Sequence, residues 1–538
     1  MRKRLIFRAA LLGLMLLLPA AARAADAQNS NSGKPALILR FAALEQLRAD
    51  FLYLAKLVGQ EEKATQFDKM IESQIGDKKL QGIDLKKPIG AYGWVGAQGI
   101  DSSLVLLVPV ADQKAFLGLL ENFDIKPEKG DDGVYSASVE KVPARVYFRF
   151  ANGYVYVTAR DKEVLDKDKL LAPAVALPAG QVGMLSLLVN IDRIPNEIKD
   201  LALGGLDLQL ANAKEKDVPN ETETQKKFRK AAIDEVGKAI KSLLGEGGET
   251  SLRLDLDRKA GDVTLTASVE GKAGSAMATT IRDLGQVKSI TAGLLKKDAA
   301  MNGELNVSLP EKLRELLGPV LKDGEKQALA KAKDEGEREV LNTVFEAIMP
   351  TLKAAELDVA FNLQGPGSDG LYALVSGVKV KDGAKLEKTF RETLAKDPKA
   401  DVKFDVEKVG SVGIHRVTLK KVDADVRRAF GDNPLYLAFR DNALLFAAGA
   451  KGLGTLKEAL AVAPTTGKVM ELQVAVARLA PLAEDKDAPE IARKVFGDDK
   501  DSDRLRVTLE GGKALKLRLS MKAKLIEYAN QIGQAKKK

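Results

Sequence analysis

The chain repeats itself, and this repetition limits the folds that it can adopt. The segment Leu104–Asp112, LVLLVPVAD, resembles Leu374–Asp382, LVSGVKVKD, and each runs into a stretch of helical character. A second pair follows in the same order, Met184–Pro195 (MLSLLVNIDRIP) and Met470–Pro481 (MELQVAVARLAP). Solenoid repeats are only about 20–50 residues long, and the distance from Leu104 to Leu374 is several times greater, which excludes a solenoid. We expect one large structural unit that occurs twice.

A finer pattern divides each half of the chain. The order strand–helix–helix–hairpin–helix begins near residues 36, 184, 302 and 470. It predicts four modules in the order A–B–A–B, which are A1 (35–170), B1 (180–290), A2 (300–460) and B2 (467–538). Linkers rich in small residues and proline, Leu171–Gly180 and Ala461–Gly467, separate A from B.

The hairpins indicate the fold class. In the clearest one, VYFRFA and YVYVTA flank Asn152-Gly153, a dipeptide that favours the type I′ turn. Each hairpin has one alternating apolar face, and a helical segment follows to cover it, as after Asp112, a predicted N-cap. A single charged helix is predicted over Glu325–Ile348. We therefore predict an internally duplicated α+β protein of antiparallel sheets, each covered by helices.

The N-terminus has the three parts of a secretory signal peptide. Met1–Arg8 is basic, Ala9–Ala22 is apolar, and Ala22-Arg23-Ala24 offers small residues for cleavage after Ala24. The apolar run is shorter than the roughly 20 residues of a membrane span and contains Pro19, and no later segment is long enough. We expect residues 1–24 to be removed, residues 25–34 to be a disordered linker, and the mature chain to have no membrane span and to be periplasmic or extracellular.

Charge and composition exclude several classes of function. The formal net charge is +9, but five basic residues lie in the signal (Arg2, Lys3, Arg4, Arg8 and Arg23), and the remaining charges are interspersed. That surface predicts no nucleic-acid partner. The chain contains no cysteine, which excludes disulfides, thiol catalysis and thiolate metal sites.

Residues that could carry chemistry are few. His415 is the single histidine, and a Ser–His–Asp triad would need it. It falls in an alternating segment, IHRVTL, whose counterpart near Ala144–Phe148 has no histidine, so a half-exposed structural position is favoured. Trp94 and Tyr92 share one side of a strand and are better explained as core beneath a helix than as a ligand surface.

One acidic stretch resembles a calcium loop. Asp499, Asp501, Asp503 and Glu510 have the alternate spacing of oxygen ligands, but Arg504 occupies the position that normally needs glycine. A solvated acidic loop is the favoured interpretation. No nucleotide-binding, metalloprotease or nucleophile-elbow motif occurs, so no catalytic, cofactor-binding or metal residue is predicted, and no cofactor.

The whole mature chain resembles the uncharacterised large secreted proteins of planctomycete-type bacteria. The likeness rests on the signal peptide, the missing cysteines, and the segments PIGAYGWVGAQGIDSSLVLLVPVAD and FRFANGYVYVT. It implies export and no established activity, and it transfers no site residue.

Three functions remain open at this point. The first is an exported, non-enzymatic binding or envelope scaffold protein, whose partner is an unknown ligand or an envelope protein. The second is a periplasmic carrier of an apolar ligand. The third is a hydrolase that uses carboxylates alone, which would need two acids about 5–10 Å apart.

Overall fold

A computed structural model describes residues 34–536, apart from 76–79, 99–102, 122–123, 139–144, 160, 220, 333–334, 395–399 and 500. The predicted signal peptide and nearly all of the predicted disordered linker lie outside the described residues. The described residues form two compact units. Unit 1 contains the residues up to Gly205 together with Leu243–Ser275, and unit 2 contains Leu206–Ser242 and Ala276–Lys538. No described helix is both long and apolar enough to cross a membrane.

Unit 1 contains ten described strands, all paired antiparallel. They are β1 Leu37–Phe41, β2 Ile89–Trp94, β3 Ser103–Pro109, β4 Glu128–Lys129, β5 Tyr135–Ala137, β6 Val146–Ala151, β7 Tyr154–Ala159, β8 Leu185–Asn190, β9 Gly247–Asp257 and β10 Asp262–Gly271. Their order across the sheet is β10-β9-β8-β1-β2-β3-β7-β6-β5-β4.

Unit 2 contains a sheet of the same design. Its described strands are β12 Met301–Ser308, β13 Glu356–Gln364, β14 Ala373–Lys379, β15 Ala400–Val409, β16 Val412–Leu419, β17 Leu435–Arg440, β18 Ala443–Ala448, β20 Met470–Ala475, β21 Arg504–Glu510 and β22 Leu515–Lys522. Their order is β22-β21-β20-β12-β13-β14-β18-β17-β16-β15. Two short strands, β11 (Lys288–Ser289) and β19 (Thr465–Thr466), pair with each other outside this sheet.

The two sheets therefore share one strand order, including the crossover that places β7 and β18 beside the third strand of each unit. A duplication predicts this correspondence, and the duplication itself stays a prediction. In each unit, the first strands of two three-stranded meanders lie side by side and antiparallel, β1 against β8 and β12 against β20. Adjacent antiparallel first strands are what a local two-fold axis normal to the sheet produces.

Backbone hydrogen bonds fix which positions correspond between the units. The amide of Asn190 donates to the carbonyl of Ala36, and that of Ala475 donates to Ala300. Counting inward from these bonds, Leu185 rather than Met184 occupies the position of Met470. The string match in the sequence is therefore displaced by one residue, because identical letters are weaker constraints than strand register.

The helices lie between and after the strands in the predicted order. The longer ones are α1 Leu44–Leu57, α2 Glu61–Ile75, α3 Gln113–Glu121, α5 Asn196–Glu215, α6 Glu223–Glu246, α7 Ala276–Leu284, α8 Glu311–Ala330, α9 Glu335–Ala354, α10 Gly383–Leu394, α12 Gly452–Leu460, α14 Ala488–Phe496 and α15 Lys524–Ala535. Shorter ones are α4 Pro173–Ala176, α11 Ala424–Phe430 and α13 Val476–Leu479. The predicted α+β class with antiparallel sheets and packed helices is confirmed.

Two local predictions have clear outcomes. The single helix over Glu325–Ile348 is wrong, because α8 ends at Ala330 and α9 starts again at Glu335 and continues past Pro350. No proline or glycine lies between Ala330 and Glu335, and the two helices pack against each other. The Asn152-Gly153 turn is confirmed, since both residues have positive φ, 53° and 73°, as type I′ requires.

Both faces of each sheet are covered by apolar residues. In unit 1, Val164, Leu165 and Leu177 cover one face, and Phe116 of α3 packs on the other. In unit 2, Leu456 of α12 and Phe390 of α10 occupy the corresponding layers. The predicted linker Leu171–Gly180 is therefore part of the core of unit 1, and in each unit one continuous sheet runs through both predicted modules.

Candidate functional site

One group of metal-ligating side chains comes together among the described residues, and it contains the single histidine. Glu387 of α10, Asp405 of β15 and His415 of β16 place one ligand atom each within 4.8 Å of one another. His415 is fully buried. The expectation of a half-exposed position is therefore wrong, because α10 covers the face of the sheet on which the ring lies.

A bulge in the edge strand creates this site. The pairing of β15 with β16 shifts register between Lys403 and Glu407, and Asp405 within the bulge has a φ of 50°. A Cβ on Gly413 would lie 2.1 Å from Asp405 Oδ1, so only glycine leaves room for that carboxylate. A bulge bends an edge strand and discourages pairing with another chain.

Arg391 occupies the centre of the group. Its Nη2 lies 2.6 Å from Glu387 Oε1 and 2.8 Å from Asp405 Oδ1. These bonds lower the pKa of Asp405 and raise that of Arg391, in each case mainly through the hydrogen bond between them. A cation at this place would have to displace a guanidinium that both carboxylates already bind.

The protonation state of His415 also argues against a metal. The backbone N–H of Asp405 donates to His415 Nδ1 at 3.2 Å, so Nδ1 carries no proton. The neutral ring then carries its proton on Nε2, which lies 3.2 Å from Glu387 Oε1 without forming a hydrogen bond of good geometry. A ring with an accepting Nδ1 and a protonated Nε2 has no lone pair to offer. The three residues therefore do not fit a metal ion.

The surroundings of His415 keep it neutral. Burial, and secondarily the charge of Arg391, lower its pKa. Its ring stacks on Phe390 with centroids 5.5 Å apart and lies close to Phe404 and Phe439. A neutral, stacked imidazole that accepts one backbone hydrogen bond is a structural element that anchors the bulge.

The matching position in unit 1 supports the same conclusion. Phe148 and Leu437 stand at equal distances from the turns of their hairpins, and they pair with Tyr135 and His415. Tyr135 is therefore the counterpart of His415, and the predicted match to Ala144–Phe148 is wrong because the residues between the strands differ in number. Tyr135 also lies under a helix, with Gln113 donating to its hydroxyl at 3.2 Å.

A second ionisable cluster, which the sequence did not reveal, lies on the opposite face of the unit 2 sheet. Glu304 of β12 and Glu471 of β20 are directly opposite each other, and each is only 7% exposed. Glu471 receives Lys468 Nζ at 2.5 Å and Arg506 Nη2 at 2.6 Å. Asp358 of β13 is buried nearby and completes the cluster.

Glu304 forms no ion pair within this cluster. Glu304 Oε1 accepts the backbone N–H of Lys468 at 3.1 Å, and Oε2 is buried with no hydrogen-bond partner. Burial is the main cause that raises the pKa of Glu304, and the charges of Glu471 and Asp358 raise it further. The available sequence signal was a glutamate at an inward-facing position of a predicted strand.

The other residues that the sequence singled out have structural positions. Asp499 Oδ1 accepts the amide of Asp501, whereas Asp503 is buried and accepts the amide of Ala477. Together with Glu510 on β21, these side chains do not form one of the metal-ligating groups found among the described residues.

Tyr92 and Trp94 belong to the core. Tyr92 is fully buried, and the two rings meet edge to face at 5.4 Å. This matches the expectation of a core position.

No protein-family profile and no curated protein matches the chain. Two solved structures resemble it at 14% identity. "Structure of crystal form IV of TP0453" aligns with 44% of this chain and 76% of that chain at a TM-score of 0.21. "Structure of crystal form III of TP0453" aligns with 47% and 83% at a TM-score of 0.22. Likeness at this level carries no argument about fold or function.

Proposed function

We propose that the chain is an exported, non-enzymatic binding or envelope scaffold protein. The observation that carries the proposal is that the chain repeats its architecture but not its ionisable clusters. The strand order is the same in both units, whereas His415 corresponds to Tyr135 and Glu304 corresponds to Arg40. A function multiplied by repetition would use what is common to both units, and the strand order is common whereas these ionisable residues are not.

The roles of the buried polar groups agree with this proposal. His415 and Arg391 hold a bulge, and three donors satisfy Asp358, namely Ser289 Oγ, Thr291 Oγ1 and the amide of Ile290. These contacts connect strands, a helix and a loop to one another. They stabilise the fold and leave the solvent-facing surface for partners.

The test compares envelope association with turnover. The full chain, as wild type and as the Glu304→Gln/Glu471→Gln double variant, is expressed and cross-linked in intact cells, and the purified proteins are assayed on ester, peptide, glycoside and phosphate substrates. The proposal expects the same cross-linked partner at the same yield for both proteins and no turnover by either. Turnover by the wild type that the double variant loses would overturn it.

Export is tested separately, because it rests on the sequence alone. The intact mass of the protein recovered from the periplasm or medium should correspond to a chain that begins at Ala25. A chain that retains residues 1–24 or stays in the cytoplasm would contradict the proposed localisation.

One observation favours a second candidate, the carboxylate-only hydrolase. Residues directly opposite on antiparallel strands have Cβ atoms about 4.5–5.5 Å apart, which suits a pair of catalytic acids. Glu304, whose pKa is raised, would be the acid, and Glu471 would be the ion-paired base. Substrate contact would require the cover over these two residues to open.

A further inference from the structure

The cover over Glu304 is a short ribbon, named the strap, that consists of residues 288–291 and 465–468. Its two strands, β11 and β19, pair with each other and not with the large sheet. Asp358 holds one side of the strap through Ser289, Ile290 and Thr291 at 2.7–2.8 Å. Glu304 holds the other side through the amide of Lys468.

The strap presses directly on the carboxyl group of Glu304. A Cβ on Gly467 would lie 3.1 Å from Glu304 Oε2 and 2.8 Å from the Cβ of Ser289. Gly467 therefore seals the carboxyl group from water, and no side chain larger than hydrogen fits there. A carboxyl oxygen in this position is stable only while it carries a proton or while another group supplies one.

The charges that face Glu304 are already balanced without it. Glu471 lies on β20, Asp358 lies on β13, and Lys468 belongs to the strap. Arg506 lies on β21 and binds Glu471. Both cations bind Glu471, and Asp358 is satisfied by hydrogen bonds from the strap. An ionised Glu304 would add an unpaired negative charge to a buried cluster, which proteins avoid by retaining the proton.

We propose that the strap is a proton-controlled cover: it stays closed over the Glu304–Glu471 pair while Glu304 is protonated, and it opens when Glu304 loses its proton. Opening places the carboxylate in water and exposes both glutamates. This behaviour does not depend on whether the chain is a scaffold or a hydrolase.

Unit 1 contains an internal control. Arg40 occupies the position of Glu304, is 4% exposed, and donates through Nε to the carbonyl of Ala176 at 2.7 Å. The segment 172–177 covers Arg40 as the strap covers Glu304. An arginine stays charged across the accessible pH range, so this cover has no proton to lose.

Hydrogen exchange of the full mature chain tests the proposal. Protection factors, corrected for the intrinsic pH dependence of exchange, are measured by mass spectrometry between about pH 4 and pH 9 for peptides that contain 288–292, 465–468 and 172–177. When the strap is open, Glu304 loses its proton near the ordinary glutamate pKa of about 4.3. When the strap is closed, Glu304 loses its proton at a higher pH. Protection of the strap should therefore fall with rising pH, by up to about tenfold per pH unit between those two values, and then level off.

Variants make the assignment specific. Glu304→Gln should keep the strap protected and remove the pH dependence, whereas Glu484→Gln, an exposed control, should behave as wild type. Glu471→Gln removes a charge next to Glu304, so the fall in protection of the strap should end at a lower pH than in wild type. The protection of peptide 172–177 should not change with pH in any of these proteins. Protection of the wild-type strap that does not change with pH overturns the proposal, and so does an unchanged pH dependence in Glu304→Gln. If that variant does not fold, a fall in protection that ends at the same pH in Glu471→Gln as in wild type overturns it.

Discussion

At the scale of single residues, ionisable side chains in this protein act through burial. Burial shifts the pKa values of two groups in opposite directions, because one group is a base and the other is an acid. Burial lowers the pKa of His415 and raises that of Glu304, so in both cases it opposes the charged form. Since the folded form of each group resists becoming charged, His415 weakens the fold at low pH and Glu304 weakens it at high pH.

The first prediction concerns His415. Its folded pKa is lowered, so its contribution to stability is present above the unfolded value of about 6.5 and is lost as the pH falls toward the folded value. The difference in free energy of unfolding between wild type and His415→Leu should shrink over that window. At neutral pH the variant should lose about 1–3 kcal/mol, because the amide of Asp405 loses its acceptor. Urea unfolding at several pH values checks both statements, and a difference independent of pH would contradict the assignment of a neutral ring.

The second prediction compares two glycines of unit 2. Gly413→Ala should destabilise the protein by about 1–3 kcal/mol, since the new Cβ meets Asp405 Oδ1 and must displace the bulge. Gly454→Ala on α12 has open space around its Cβ and should stabilise by about 0.5–1 kcal/mol through helix propensity. Equal effects in thermal unfolding would show that the bulge does not constrain Gly413.

At the scale of elements, helix starts and hairpin turns follow local rules in both units. Asp112 Oδ1 accepts the amide of Ala115 at 2.6 Å, and Asp382 Oδ1 accepts that of Lys385 at 3.0 Å. These bonds satisfy amides that the first helical turn leaves free. The predicted cap at Asp112 therefore has a counterpart at the same place in the second half.

The third prediction follows from these two caps. Asp112→Ala and Asp382→Ala should each lower the free energy of unfolding by about 1 kcal/mol. Asp112→Asn should retain most of the lost stability, because asparagine is also a good cap. Denaturant titration measures these values, and a neutral Asp112→Ala would mean that α3 is held by packing alone.

At the scale of the whole molecule, we expect the described fold to bind no metal ion. The hydrogen bonds of Arg391 and the protonation state of His415 block one group, and Asp499 and Asp503 serve as acceptors for different backbone amides. A site with a Kd of about 10 μM would add about 2.7 kcal/mol of stability at about 1 mM ion.

The fourth prediction is therefore an unchanged melting temperature with millimolar calcium or zinc. The metal-free protein treated with chelator serves as reference. A rise with calcium that Asp501→Ala removes would restore the loop that the sequence suggested, and a rise with zinc that His415→Leu removes would contradict a ring protonated on Nε2.

Sequence pattern alone predicted the order of elements, the α+β class, the turn at Asn152-Gly153 and the cap at Asp112. These depend on periodicity and on contacts within a few residues, so a local pattern contains them. Three facts emerged only from the folded chain: His415 is buried, Tyr135 is its counterpart, and Glu304 faces Glu471. Those facts depend on which strands become neighbours and in which register, and pairing between residues far apart in sequence leaves no local pattern. The break between α8 and α9 belongs with them, because no proline or glycine between Ala330 and Glu335 marks it in the sequence.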